Sequence, residues 1–382
     1  MIYLDYNASS PIDSRVLEMM VDVYKNHYGN ADSRMHEYGK AAKEIVSDSR
    51  NKVAKLLGIN SQEVFFTSGA TESNNIVIQG LRKYGNDSGK KHIIISSIEH
   101  KAIIESAKAL KEYGFEIQTI NPDKNGVVNV QNIIDNIRKD TLLVSVMHAN
   151  NETGVIQPVK EIGDYLQSYD VLFHVDATQT CGKLVEEIRE IKYDMMSISA
   201  HKMHGPQGVG ALILKKKNYK LPPITPLFFG GAQEHGIRPG TLPVALIAGF
   251  GKACEIAINE YKHNYAYDLD IKKSLLKLLN ESKIDFTING EQNKCMPNTI
   301  NISILNVSSE ALMLSTKQYC GISNGSACNS NNYNPSHVLV AMGLDNSIIE
   351  SALRISWGYD TDKNIFINEF KKLIETAKSL LG

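Results

Sequence analysis

Cysteines are few and scattered in this sequence. The 382 residues hold five, Cys181, Cys254, Cys295, Cys320 and Cys328, none in a C-x-x-C pair. A disulfide framework is thereby excluded, and reduced thiols are expected, any one of them free to be chemically active. An excess of one charge is also missing: 41 basic against 42 acidic residues leave a net charge of −1. No global field therefore recruits nucleic acid or an anionic membrane, and the one compact basic run, Lys215 to Lys217, reads as a solvated strand end. The longest apolar stretch, Val244 to Gly251, falls far short of the roughly 20 residues that a membrane span needs. The opening, Met1 to Pro11, carries Asp5 and no basic segment ahead of an apolar one, so it does not read as a signal peptide and a cytoplasmic location is expected. What is present, 42% hydrophobic and 22% charged residues, is an ordinary globular composition that excludes disordered and collagen-like chains. The length exceeds the roughly 250 to 300 residues at which one core stops growing, so two unequal domains are expected.

From about residue 60 to 215 short apolar runs alternate with amphipathic segments. Glu63 to Thr67, His92 to Ser96, Glu116 to Ile120, Leu142 to Met147, Val171 to Val175 and Met195 to Ser199 read as strands. Ala102 to Tyr113, Val130 to Arg138 and Val159 to Tyr169 read as helices between them. This rhythm predicts an α/β domain, a mainly parallel sheet covered on both faces, with a ligand site beyond the carboxyl ends of the strands. After residue 216 come Pro222, Pro223 and Pro226, a glycine-punctuated loop from Gly230 to Gly240, and a helix from Val244 to about His263 that can bridge to a second domain. A strand at Asn298 to Ile304 and a helix at Ile365 to Leu381 predict a smaller α+β domain. The expected partition is 13–258 for the large domain and 1–12 with 259–382 for the small one. Gly321 to Pro335 is rich in turn formers and lacks an apolar period, which reads as a mobile loop presenting Cys328.

The polar groups gather at the predicted strand ends. Thr67-Ser68-Gly69-Ala70-Thr71-Glu72 follows a strand and opens a helix, an arrangement of free N–H groups and hydroxyls suited to a phosphate monoester; a capping box built on Ser68 is the alternative. Asp176 ends a strand, where a carboxylate needs a cation such as a pyridinium nitrogen, or else caps a helix. Lys202 lies just past another strand, where a desolvated amine has a lowered pKa and attacks carbonyls; a solvated lysine is the alternative. Ser199 and His201 beside it read as phosphate ligands. His201 and His204 with His148 or His174 form a histidine set without matching carboxylates, so no metal is assigned.

In combination these residues resemble the cysteine desulfurases of the NifS/IscS type. The resemblance spans nearly the whole chain: Tyr3-Leu4-Asp5-Tyr6-Asn7-Ala8, Ser68 to Asn75, Glu99-His100-Lys101, His148 to Gly154, His174 to Gln179, Ser199-Ala200-His201-Lys202, Arg238-Pro239-Gly240-Thr241, Ser323 to Cys328 and Leu353-Arg354-Ile355-Ser356. It implies the pyridoxal-phosphate-dependent transferase fold (aminotransferase fold type I). It also implies that Lys202 holds pyridoxal 5'-phosphate covalently, that Asp176 keeps its ring nitrogen protonated and that Gln179 bonds its phenolic oxygen. His100 would stack on the ring and move a proton, with a core histidine as the alternative. Ala70, Thr71, Ser199 and His201 would surround the phosphate, and Thr241 would reach the phosphate of the other protomer in a homodimer. Asn151 and Arg354 would orient L-cysteine, Arg354 through its carboxylate.

The implied reaction releases L-alanine and leaves the sulfur as a persulfide on Cys328, which passes it to an acceptor protein. Cys320, at a strand end, is assigned to packing. Iron–sulfur cluster assembly, tRNA thiolation, thiamin or molybdenum cofactor supply and DNA sulfur modification are all open as destinations. Another lyase or aminotransferase of this class, or a catalytically silent sulfur-transfer scaffold, remains the alternative; the first has no need of Cys328 and the second needs none of Lys202, Asp176 and His100. Two departures stand out. His235 occupies a position where many relatives have Arg, and Asn30-Ala31-Asp32 replaces a more usual Asn-Pro-Ser. The stop at Gly382, without the extension that helps the housekeeping branch dock its scaffold, leaves the acceptor undetermined.

Overall fold

The computed structural model describes residues 1–325 and 335–381. Among them are twelve strands: β1 (Ile2–Tyr3), β2 (Val64–Thr67), β3 (His92–Ser96), β4 (Glu116–Ile120), β5 (Thr141–Ser145), β6 (Leu172–Asp176), β7 (Met195–Ser199), β8 (Gly210–Leu214), β9 (Phe286–Ile288), β10 (Thr299–Ile304), β11 (Cys320–Gly321) and β12 (Ala352–Ser356). Seven form a central sheet in the order β2-β8-β7-β6-β5-β3-β4, in which only β8 runs antiparallel to its neighbours. Alternate residues supply its two buried faces. Phe65, Ile93, Ile95, Leu143, Met195 and Leu212 face one apolar cluster, and Phe66, Ile94, Val144, Phe173, Met196 and Ile213 face the other. Burial on both sides explains why these strands read as continuous apolar runs.

The parallel strands end along one edge, and β8 tightens that edge. Gly210 is paired with Thr67 on one side and with Ser199 on the other, which draws the segments after β2 and β7 together. A Cβ on Gly210 would lie 2.5 Å from the Ile198 carbonyl oxygen and 2.8 Å from Gly69 Cα, so only glycine allows this approach. Gly69 itself has φ +149°, a conformation that L residues rarely adopt.

Outside the central sheet, β12-β10-β9 form an antiparallel sheet and β1 pairs with β11. The helix Val244–Glu281 joins the two regions. Its first part packs Ile247, Phe250 and Cys254 into the large core, while Ile271, Leu275 and Leu279 pack with Leu4, Ile300, Trp357 and Phe370 in a second core. It runs well past His263, where the sequence pattern loses its apolar stripe, because residues around 259–266 cross between two cores and stay solvated. Val338, Leu339, Met342 and Ile349 pack with the large core although they lie late in the chain. The helices Ser14–Asn26 and Glu37–Leu57 and strand β8 have no counterpart in the sequence reading. Among the described residues no helix is long and apolar enough to cross a membrane.

Candidate active site

Beyond the carboxyl ends of β2, β3, β6 and β7 lies a cavity of ≈ 660 Å³. Ala70, Thr71, His100, Asn151, Asp176, Gln179, Ser199, His201, Lys202 and Arg354 all line it. Thr241 is exposed and does not line the cavity of its own chain. Cys328 lies outside the described residues.

Lys202 follows β7 in a tight turn and donates to the backbone carbonyls of Asn7 and Ala8 at 2.5 and 2.6 Å. Burial, aided by the positive charges of Arg354 and Lys183, lowers its pKa to about 7, against the opposing pull of Asp5 and Asp176. It is therefore an amine that loses its proton near neutrality. Asp176, buried at the end of β6, accepts from Asn74 Nδ2 at 2.8 Å and from the Thr178 amide at 3.0 Å. Both bonds fix the side chain at the strand end, where a cation would meet it.

The helix Ala70–Gly80 begins at Gly69 with no side-chain cap. Its first residues line the cavity, and the N–H groups of that first turn have no intrahelical partners. The capping box expected on Ser68 is only half present: Glu72 Oε2 accepts the Ser68 amide at 2.7 Å, but no Ser68 hydroxyl caps the helix. Arg238 Nε donates to Glu72 Oε1 at 2.8 Å, which offsets a carboxylate that would otherwise oppose an anion there. His201 joins this side of the cavity, its ring against Ser9 Oγ at 3.2 Å. Burial, then the charges of Lys202 and Lys183, hold its pKa at about 4, so it meets an anion as a neutral donor.

His100 caps the helix Lys101–Ala109, its Nδ1 accepting the Ala102 amide at 3.1 Å, which leaves Nε2 as the protonated nitrogen of the neutral ring. Its exposed surface borders the cavity, and enclosure by protein lowers its pKa, with Asp176 opposing. Gln179 donates Nε2 to the Asn7 carbonyl at 3.0 Å and keeps Oε1 buried without a partner. Arg354, on β12, pairs with Asp5 at 2.6 Å, donates to the Asn151 carbonyl at 3.2 Å and retains a buried Nε without a partner.

The remaining histidines sort differently. His174 sits between Ser145 Oγ at 2.9 Å and Ser197 Oγ at 3.0 Å within the sheet, and His148 contacts Thr180 Oγ1 at 2.9 Å. Burial holds both at about pKa 4, as neutral parts of the fold. Cys320 is buried in β11 and paired with Ile2. His235 does not line the cavity: its ring meets Phe65 edge-on, centroids 5.9 Å apart. The loop that carries His235 meets the other departure through Gln233, whose Nε2 donates to Asp32 Oδ2 at 2.6 Å, close to where Glu234 pairs with Arg50 and accepts the Phe66 amide.

Asp5 and Asn7 are site residues that the sequence reading quoted without a role. Asn7 binds Asn151 through Nδ2, Thr299 through Oδ1 and Ser356 through its amide, placing its carbonyl on Lys202. The signal was present in Asp5-Tyr6-Asn7-Ala8, a polar pair next to small residues just after an apolar strand. What it met in space was not readable locally.

Taken together, the site offers an anion pocket at a helix N-terminus, a carboxylate at a cationic position and an amine poised to lose its proton. The donor set fits pyridoxal 5'-phosphate, with the unpartnered Gln179 Oε1 as a further polar atom facing that space. Residues 2–365 match the class-V aminotransferase family. The chain belongs to that family and, within it, to the pyridoxal-phosphate-dependent cysteine desulfurases of the NifS/IscS type. It is 40% identical over 384 residues to the cysteine desulfurase IscS of Colwellia psychrerythraea, covering 100% of this chain and 93% of that one. A solved NifS-like protein superposes with a TM-score of 0.91 at 35% identity, covering 99% of both chains. SspA in complex with cysteine gives a TM-score of 0.83 at 33% identity, over 95% of this chain and 100% of that one.

Proposed function

We propose that the chain converts L-cysteine to L-alanine and carries the released sulfur as a persulfide on Cys328 for delivery to an acceptor protein. The observation that carries this reading is the convergence of Lys202, Asp176 and the uncapped helix start at Ala70 on one cavity that also holds Arg354. Ala70, Thr71, Ser199 and His201 would hold the cofactor phosphate, Asp176 its ring nitrogen and Gln179 its phenolic oxygen, with His100 beside the ring. When bound, pyridoxal phosphate withdraws the electron pair released as the substrate's Cα–H bond breaks. Arg354 exchanges its Asp5 partner for the substrate carboxylate, which Asn151 helps to orient. Lys202, unprotonated above about pH 7, takes the α-proton. The Cys328 thiolate forms a bond to the substrate sulfur as the Cβ–S bond breaks with its electron pair going to Cβ, which takes up a proton, and the proton removed from Cα is returned there to complete alanine.

The cysteine complex of a related protein supports the substrate class, and the balanced charge supports a protein without a direct nucleic-acid partner. The active unit is a homodimer in which Thr241, exposed in the single chain, completes the neighbouring phosphate site. Mixing Lys202→Ala with Thr241→Ala chains then leaves active only those sites whose two contributors are both intact, and a fully active monomer by light scattering would refute the assignment. For Cys328→Ser the expected result is retained cofactor and cysteine binding with almost no alanine or sulfide. Mass spectrometry after incubation with L-cysteine should find the added sulfur on Cys328. Its appearance on Cys320, or full alanine production by the serine variant, overturns the mechanism.

A further inference from the structure

One buried carboxyl meets the chain both before and after Cys328. Glu152 follows Asn151, which lines the cavity, and is itself buried. Its Oε2 accepts the Ser336 hydroxyl at 2.5 Å, and the same Ser336 oxygen accepts the Leu339 amide at 3.2 Å, capping the helix His337–Ala341. On the outgoing side Gly325 backs onto that carboxyl. A Cβ there would stand 2.7 Å from Oε2 and 3.1 Å from Cδ, and φ is +79°, so space and backbone conformation both demand glycine. Each stem has a second anchor. Ser323 exchanges both backbone bonds with Arg354 on β12, at 2.6 and 3.3 Å, and His337 Nε2 donates to the Glu99 carbonyl at 3.0 Å. Ser323, Gly325 and Arg354 line the cavity, whereas Glu152 does not.

We propose that Glu152 is a positioning residue for sulfur removal: it clasps the stems on either side of Cys328 and so sets where that thiol is delivered, while touching neither cofactor nor substrate. This rests on the assignment of Cys328 as the sulfur carrier. Cys328 follows Gly325 by three residues, so its Cα lies within about 11 Å of that glycine however the chain between them runs. Fixing the stem therefore fixes the space that the thiol can reach, and a displacement of about 1 Å at a reacting atom can cost about 100-fold in rate. The burial of Glu152 gives a second reason to assign it a role. Enclosure raises its pKa to about 7, against the Ser336 bond and the charges of Arg354 and Lys101, a cost that an apolar side chain filling the same space would not carry. What the carboxyl adds is an acceptor oxygen that ties two stems together. Ser336 needs only that oxygen, which is present whether or not the group is ionised.

The test is rapid-quench single turnover of the full-length holoenzyme with L-cysteine, read as alanine formed, beside the cofactor absorbance and its change as L-cysteine binds. Glu152→Ala should slow alanine formation about 10- to 100-fold. Cofactor content and the cysteine concentration that half-saturates the absorbance change should stay within about threefold of wild type, a split that general damage to the fold would not give. Glu152→Gln, which keeps the acceptor oxygen, should hold the rate within about threefold of wild type. Gly325→Ala, which forces a Cβ onto the carboxyl, should slow the same step with the same split. If Glu152→Ala does not fold, Ser336→Ala opens the clasp from the other stem and makes the same measurement. An unmoved rate in the folded variant overturns the proposal, as does an equal loss with Gln or a loss of cysteine binding as large as the loss of rate. Mapping the added sulfur in the quenched samples separates the two levels of inference. Sulfur on Cys328 with an unmoved rate sinks the clasp alone, whereas sulfur on another cysteine of the wild type sinks it together with the assignment of Cys328.

Discussion

The cavity has two walls made in different ways. One wall is the edge of the central sheet, where Asp176 and Ser199 end their strands and His201, Lys202 and the helix start at Ala70 follow within three residues of a strand's last residue. The other is made by the ends of the chain, where Asp5 and Arg354 meet at 2.6 Å across 349 residues. The sheet-edge groups are placed by backbone register and cannot shift without moving strands buried on both faces. The chain-end groups are held by an ion pair and by side chain–carbonyl bonds, contacts that a ligand can replace one for one. The sheet therefore supplies fixed charge, and the chain ends supply exchangeable partners.

The comparison breaks most visibly at Lys202. Lys202→Ala should abolish covalent cofactor attachment and lower kcat by about 10⁴-fold or more, since no other described amine lines both the carbonyl ladder of Asn7 and Ala8 and the cavity. Borohydride fixation and alanine release check this together. On the other wall the expected losses are smaller and fall in KM. Arg354→Lys keeps the charge but loses the planar fork, and kcat/KM should drop about 10- to 100-fold with kcat less affected. Asp5→Asn should act in the opposite sense on binding. With its competing carboxylate gone, Arg354 is free for substrate, and KM for L-cysteine should fall a few-fold while melting temperature falls too, because Arg354 is buried and loses its partner. A rise in KM for Asp5→Asn would mean that the ion pair positions Arg354 rather than occupying it.

The same contrast explains what the sequence disclosed. Asp176 was legible because His174-Val175 precedes it in an apolar run and a carboxylate cannot end such a strand without a partner. Lys202 was legible for the same reason after Met195 to Ser199. Strand β8 was missed because Gly208-Val209-Gly210 reads as a turn, and the reason for its glycine is a close approach to Gly69, more than a hundred residues away. The Asp5–Arg354 pair and the Asn7 carbonyl on Lys202 join segments that no local pattern relates. Propensity and period describe elements; contacts between distant elements arise only when the cores they share are packed.

Acid should test the fixed wall through its neutral histidines. His148 and His174 are held at about pKa 4 by burial against an ordinary 6.5, so unfolding takes up protons between those values. Stability should therefore fall as pH drops from 6.5 toward 4. His174→Asn, which keeps a polar group between Ser145 and Ser197, should lower stability at pH 7 by about 1–2 kcal/mol and flatten the acid slope by up to one proton, as read from urea melts at a series of pH values. Parallel slopes for variant and wild type would show that His174 is not the group taking up that proton.

The smallest effect is expected where the fixed wall hides a carboxyl that carries no charge at neutrality. Glu99, next to His100, is fully buried, and burial raises its pKa to about 8, with Asp176 adding to the rise and bonds from Ser96 and the Met147 amide opposing it. Its Oε1 receives both of those bonds while Oε2 has no partner, so the acid ties the segment after β3 to the segment after β5 without contributing an anion. In the unfolded chain the same carboxyl ionises near 4.5. Between that value and 8 the unfolded state therefore binds fewer protons than the folded one, and stability is lost as pH rises through this window. Glu99→Gln keeps the acceptor oxygen and cannot ionise. Its kcat should stay within about threefold of wild type, a change of under 1 kcal/mol in barrier. Its stability relative to wild type should grow as pH rises from 4.5 to 8, measured by urea melts across that range. Should the two stability profiles run parallel, Glu99 is already ionised in the folded protein, and the sheet edge beneath His100 then carries a second anion beside Asp176.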